Sequence, residues 1–128
     1  MRCPPFGLCL PVEFHAARDV DTIEVRVSGS SFVWAIRLVD TWGPELHRGD
    51  AASQRVAAEG KAWVEKYLAS IFGLRLWVQL PHTENLLKCL SFDRVPGFLF
   101  VGGGEETVNR MIVRRGYASS TKGGELGE

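Results

Sequence analysis

The sequence predicts a mainly β domain with packed helices, an α+β chain whose strands close into a small five-stranded barrel. Three observations predict it. Apolar and polar residues alternate with the period of half-buried strands in the first third of the chain. The period changes to that of a helix in only a few places. A length of 128 residues suits one domain and crowds two.

Each element has its own signal. Ile23, Val25 and Val27 alternate with Glu24 and Arg26, and residues 28–31, Ser-Gly-Ser-Ser, supply a turn. Residues 32–39 are rich in β-branched and aromatic side chains, so a hairpin is expected over residues 21–40. Val56, Gly60, Trp63, Val64, Tyr67, Leu68 and Ile71 then recur at three and four, one face of a helix, with Ser53 as its expected N-cap and Gly73 as its stop. Residues 74–80 return to strand character and Pro81 ends them; residues 83–90 are expected to form a short helical turn. Residues 98–101 form a short strand turned by three glycines, and a last helix over residues 107–115 buries Val108, Met111 and Ile112 before Gly116 caps it. The order strand, strand, strand, helix, strand, strand, helix matches a five-stranded OB-fold barrel, although other α+β folds share it. The domain is expected to occupy residues 1–118. Residues 119–128 have little to bury and are expected to form a flexible tail.

Composition narrows the function classes. Fifteen basic and fifteen acidic side chains cancel, so no whole-chain field draws the protein onto a polyanion or a membrane surface; a local cationic site stays open. No stretch approaches the roughly 18 apolar residues that span a bilayer, so no membrane association is expected. The apolar run at residues 6–10 is short and closed by Pro11, unlike a signal peptide. Cys3, Cys9 and Cys89 are odd in number and lack C-x-x-C spacing, which predicts a reduced, cytoplasmic chain without zinc or a disulfide framework. His15, His47 and His82 are scattered, Gly102-Gly103-Gly104 lacks the Lys-Ser or Lys-Thr of a phosphate loop, and there is no G-x-S-x-G elbow.

Four patches can carry chemistry. Asp19 and Asp21 stand two residues apart at the mouth of the hairpin, and Asp40 ends its second strand. A hairpin brings its two ends together, so Asp21 and Asp40 can share a hard cation, which prefers oxygen ligands. Arg37 and Glu45 flank that position. Arg94 sits in a Phe-Asp-Arg-Val-Pro-Gly turn, and residues 108–118 read as scaffold. Taken singly, each patch has an ordinary structural reading as a solvated turn, an internal ion pair or a surface arginine.

Taken together, the patches resemble the staphylococcal nuclease (thermonuclease) family. The resemblance rests on Asp19-Val20-Asp21-Thr22, Arg37 with Asp40-Thr41 and Pro44-Glu45, a helix, residues 92–97, then Val108-Asn109 with Val113-Arg114-Arg115-Gly116-Tyr117-Ala118. It implies a nuclease-like OB barrel that hydrolyses single-stranded DNA or RNA with calcium. Asp21, Asp40 and the Thr41 carbonyl would hold the ion. Arg37 and Arg94 would bind the phosphate and stabilise a phosphorane-like state, and Glu45 would orient the attacking water. The chain would act as a monomer. The sequence also departs from the family. The family's arginine precedes the metal aspartate by five residues and its glutamate follows by three, whereas the offsets here are three and five. The arginine-to-glutamate distance of eight is kept, which fits a two-residue slide or a paired deletion and insertion. The glycine between the first two aspartates is Val20, and the family's Tyr-Gly-Arg reads Phe92-Asp93-Arg94. The alternative expectation is therefore a weak or inactive OB module that binds nucleic acid or a protein, with Trp42, Phe92 and Phe98 as candidate stacking residues.

Overall fold

The computed structural model describes residues 8–44, 49–71, 75–80, 94–102, 104 and 106–128. Five strands, β1 (Leu8–Asp19), β2 (Thr22–Val27), β3 (Val33–Leu38), β4 (Leu76–Leu80) and β5 (Arg94–Val101), close into a barrel in the order β1-β2-β3-β5-β4. Among the described residues two helices accompany it: α1 (Ala51–Ala69) between β3 and β4, and α2 (Val108–Arg114) after β5. A closed five-stranded barrel with two helices is consistent with an OB-like barrel.

Closure depends on β1. Its first residues pair with β4, from Leu8 opposite Leu80 to Pro11 opposite Trp77, and its remainder pairs with β2, from Val12 opposite Val27 to Asp19 opposite Thr22. The ladder slips between Phe14 and Ala16 and again between Ala17 and Asp19. Such bulges sharpen strand twist, which lets one strand serve both halves of a barrel. They also break the alternation, so β1 is the strand that the sequence signals least.

β2 and β3 form the expected hairpin, Thr22 opposite Arg37 and Arg26 opposite Val33. Ile23, Val25, Ile36 and Leu38 point inward and are fully buried, with Val95 and Leu99 from β5 and Val78 and Leu80 from β4. β3 and β5 run parallel over four residues, Ala35 opposite Arg94 to Leu38 opposite Gly97. A parallel pair needs a crossover, and α1 with β4 provides it.

α1 is capped three residues before the expected position. Asp50, rather than Ser53, caps it, its Oδ1 accepting the Ser53 N–H at 2.7 Å, and Ser70 ends it. That hydrogen bond lowers the Asp50 carboxyl below its ordinary range. The expected stop, Gly73, and the expected turn at residues 83–90 lie outside the described residues. α2 follows expectation in its bounds and in burying Val108 and Ile112, whereas Met111 is half-buried and Asn109 and Val113 are buried. Thr107 caps it, and the Gly116 and Tyr117 N–H groups return to Val113 and Ile112 with Gly116 at φ +84°.

α2 also holds the sheet. Asn109 is 3% exposed, donates from Nδ2 to the Val39 carbonyl at 3.0 Å and to Gly97 at 3.1 Å, and accepts the Leu99 N–H at 3.0 Å. It bridges β3 and β5 where they part. Beyond residue 118 the chain stays in contact with the barrel: Ser119 forms an antiparallel bridge with Trp42, and the Gly127 N–H bonds the Ala118 carbonyl at 2.8 Å.

Asn109→Ala strands the Leu99 N–H and takes one of two donors from each of the Val39 and Gly97 carbonyls, so it is expected to destabilise the domain by about 2 kcal/mol. Urea unfolding with an unchanged m-value measures this. A loss below about 0.5 kcal/mol would show that solvent reaches these groups.

Candidate functional site

The end of β3 leaves its ladder with carbonyls to satisfy. Arg37 serves two of them and reaches a third carbonyl in the turn between β1 and β2. Its Nη1 donates to Leu38 O and Thr41 O, each at 2.7 Å, and to Asp21 O at 3.4 Å. Its Nη2 lies 3.8 Å from Asp21 Oδ2, in an ion pair whose side chains are 21% and 16% exposed. The same guanidinium carbon sits 4.5 Å from the centre of the Trp42 ring. A half-buried cation is thus surrounded by a carboxylate, three carbonyls and an aromatic face, an environment that suits a planar, permanently charged group.

Asp21 is held from the other side. Its Oδ2 accepts the Gly43 N–H at 3.0 Å and its Oδ1 accepts the Thr22 hydroxyl at 3.3 Å. Thr41 is fully buried and donates its hydroxyl to Val39 O, the carbonyl that Asn109 also engages. Asp40 behaves differently. It is exposed and adopts φ +53°, a left-handed conformation that aspartate tolerates better than most residues. It makes the turn between Val39 and Thr41.

Of the residues singled out in the sequence, the fold therefore brings Asp21, Arg37 and Thr41 together and leaves Asp40 in solvent. Arg94 is exposed at the start of β5, opposite Ala35. Ile36, Leu38, Val95 and Leu99 face the core, so Arg94 and Arg37 share the outward face of neighbouring strands. Glu45 and Phe92 lie outside the described residues, and Phe98 is half-buried. Among the described residues no three His, Cys, Asp or Glu side chains gather as a metal site would. Among them, too, no helix is long and apolar enough to cross a membrane.

Two neighbours complete the surroundings, Trp42, expected as a stacking candidate, and Val20, which the sequence did not single out as a site residue. Trp42 is 38% exposed, an unusual place for an indole, and carries Arg37 and Lys122 near its ring. Val20, fully buried, packs beneath the turn: a Cβ at Gly43 would overlap its Cγ1, and a Cβ at Gly60 on α1 would lie 3.0 Å from its Cγ2. Two glycines thus make room for one valine.

No protein-family model matches the chain, and no curated protein matches it in sequence.

The packing of Val20 against Gly43 predicts a coupled pair. Gly43→Ala is expected to cost about 2 kcal/mol, because the valine methyl must be displaced. Val20→Ala in the same chain should recover at least about 1 kcal/mol of that loss in a double-mutant cycle. Strict additivity in chemical unfolding would contradict this packing.

Proposed function

We propose that this chain is a barrel of the staphylococcal-nuclease kind that binds single-stranded nucleic acid and hydrolyses it weakly or not at all. The observation that carries the reading is the Arg37 guanidinium lodged between Asp21, Thr41 and Trp42. In the nuclease pattern the metal carboxylate stands five residues after the arginine and three before the glutamate. Counted from Arg37 or back from Glu45, that position is Trp42, and the following threonine of the pattern is Gly43.

The packing supports this ungapped count. Trp42 and Gly43 abut Arg37 and Asp21, while Asp40 faces solvent. The two departures at Val20 and Gly43 also compensate each other in volume. Where the pattern has a small residue at one position and a threonine at the other, this chain has a valine and a glycine in contact.

Calcium fits this arrangement poorly. The ion takes six to eight oxygens. Here the Thr41 carbonyl and the Asp21 carboxylate are engaged by a guanidinium and Asp40 is turned outward, so no hydrolytic step follows from the ion. Binding has better support. Trp42 offers an exposed π-face on which a base can stack, and Arg94 lies outward on the strand beside Arg37, suited to a phosphate.

A second reading is the calcium-dependent phosphodiesterase, with Asp21, Asp40 and Thr41 around the ion, Arg37 and Arg94 on the phosphate and Glu45 on the water. It is favoured by one feature: an acidic oxygen and a carbonyl from opposite ends of the hairpin converge on a single positive group.

Labelled single-stranded DNA and RNA oligonucleotides, incubated with the protein in calcium and in EGTA, separate the two. The expected outcome is binding within about twofold in both buffers, a free-energy difference of about 0.4 kcal/mol, and no calcium-dependent cleavage. Cleavage that requires calcium and disappears in Asp21→Asn and Asp40→Asn would establish the second reading instead.

A further inference from the structure

Resting on the binding reading above, we infer that Lys122 is a phosphate-contacting residue, delivered to the Trp42 surface by the C-terminal segment. The segment is anchored beside the site. Trp42 N–H bonds Ser119 O at 2.8 Å and Ser119 N–H bonds Trp42 O at 2.9 Å, with Ser119 only 2% exposed. A tight turn follows at once. The Thr121 N–H bonds the Ser119 hydroxyl at 3.2 Å, and the Gly124 N–H returns to the Thr121 carbonyl at 3.0 Å. Lys122 rides on that turn, and its exposed ammonium stands 5.7 Å from the Trp42 ring centre.

The charges around the indole are not equivalent. Arg37 already has its Nη1 turned to backbone carbonyls and its charge opposed by Asp21, so its positive charge is partly compensated within the protein. Among the described residues no carboxylate pairs with Lys122. A base laid on the indole brings its own phosphates to the rim of the ring, where the available cation is the lysine. A compact ammonium on a long flexible stem can leave the ring for a phosphate while the turn beneath it stays fixed. The segment is then part of the binding surface.

The test is a salt series with labelled oligothymidylate, read by fluorescence anisotropy, on wild type, Lys122→Gln, Lys122→Arg and a control, Lys66→Gln, an exposed lysine on the last turn of α1. Loss of one phosphate contact lowers the slope of log affinity against log salt by about 0.7 for a single strand. Lys122→Gln should show that drop and bind several-fold more weakly at low salt, Lys122→Arg should restore the slope, and Lys66→Gln should leave it unchanged. A wild type that binds, with a slope that Lys122→Gln does not alter, overturns the role of Lys122 and leaves the binding reading standing. An equal drop in Lys66→Gln also overturns it, as a mere effect of net charge. A wild type that does not bind at all overturns the binding reading, and this inference with it.

Discussion

The site rests on how the backbone carbonyls at the end of β3 are satisfied. A strand that leaves its ladder inside a protein exposes polar groups that water cannot reach, and an unpaired one is costly. Here two side chains do the work. Asn109 reaches from α2 to Val39 O, and Arg37 folds back onto Leu38 O and Thr41 O. Because the Thr41 hydroxyl also donates to Val39 O, both sets of bonds meet in one turn. The helix, the parallel strand pair and the charged pocket are therefore fixed by a single hydrogen-bonded junction. Asn109 belongs to the functional account for that reason, although it touches no charge.

The junction also decides the electrostatics of the pocket. A carboxylate and carbonyls gathered at one place call for a positive charge, and an ion or a side chain can supply it. Arginine supplies it without leaving the protein, and its planar fork matches several acceptors at once. A metal ion would have to displace a group held by three hydrogen bonds, an ion pair and an aromatic contact. The neutral total charge of the chain fits such a self-compensated pocket. On the proposed reading, attraction for a polyanion comes from exposed cations, Arg94 and Lys122 among them, and not from a field of the whole chain.

Much of the fold was legible, and the exceptions have physical causes. The hairpin of β2 and β3 declared itself because one face is core and the other is not, the condition that produces alternation. β1 did not, since two bulges shift its phase and its two halves serve different partners. β5 begins at Arg94, four residues before the strand expected at residue 98, because Pro96 and Gly97 read as a turn. Pro96 is tolerated where it stands: pairing with β4 begins only at Phe98, so its absent N–H loses no rung on that side. Asn109 left a usable signal, a polar residue between Val108 and Ile112 on the buried side of a short helix.

The grouping of Asp21, Arg37 and Thr41 was legible for the simple reason that a hairpin joins its ends. The direction of Asp40 was not. The sequence reading placed Asp40 beside Asp21, whereas in the fold residues 42 and 43 are the ones that abut Arg37 and Asp21. That difference depends on a contact between residues far apart in the chain, Val20 against Gly43, where only one of the two can carry a side chain of any size. Bulk on the first aspartate loop and bulk on the second exclude each other. Once valine occupies position 20, the chain at 43 has to be bare, its N–H is free to bond Asp21, and the indole of Trp42 comes to lie against Arg37. One buried methyl group thus bears on how the chain at residues 42 and 43 meets Asp21 and Arg37.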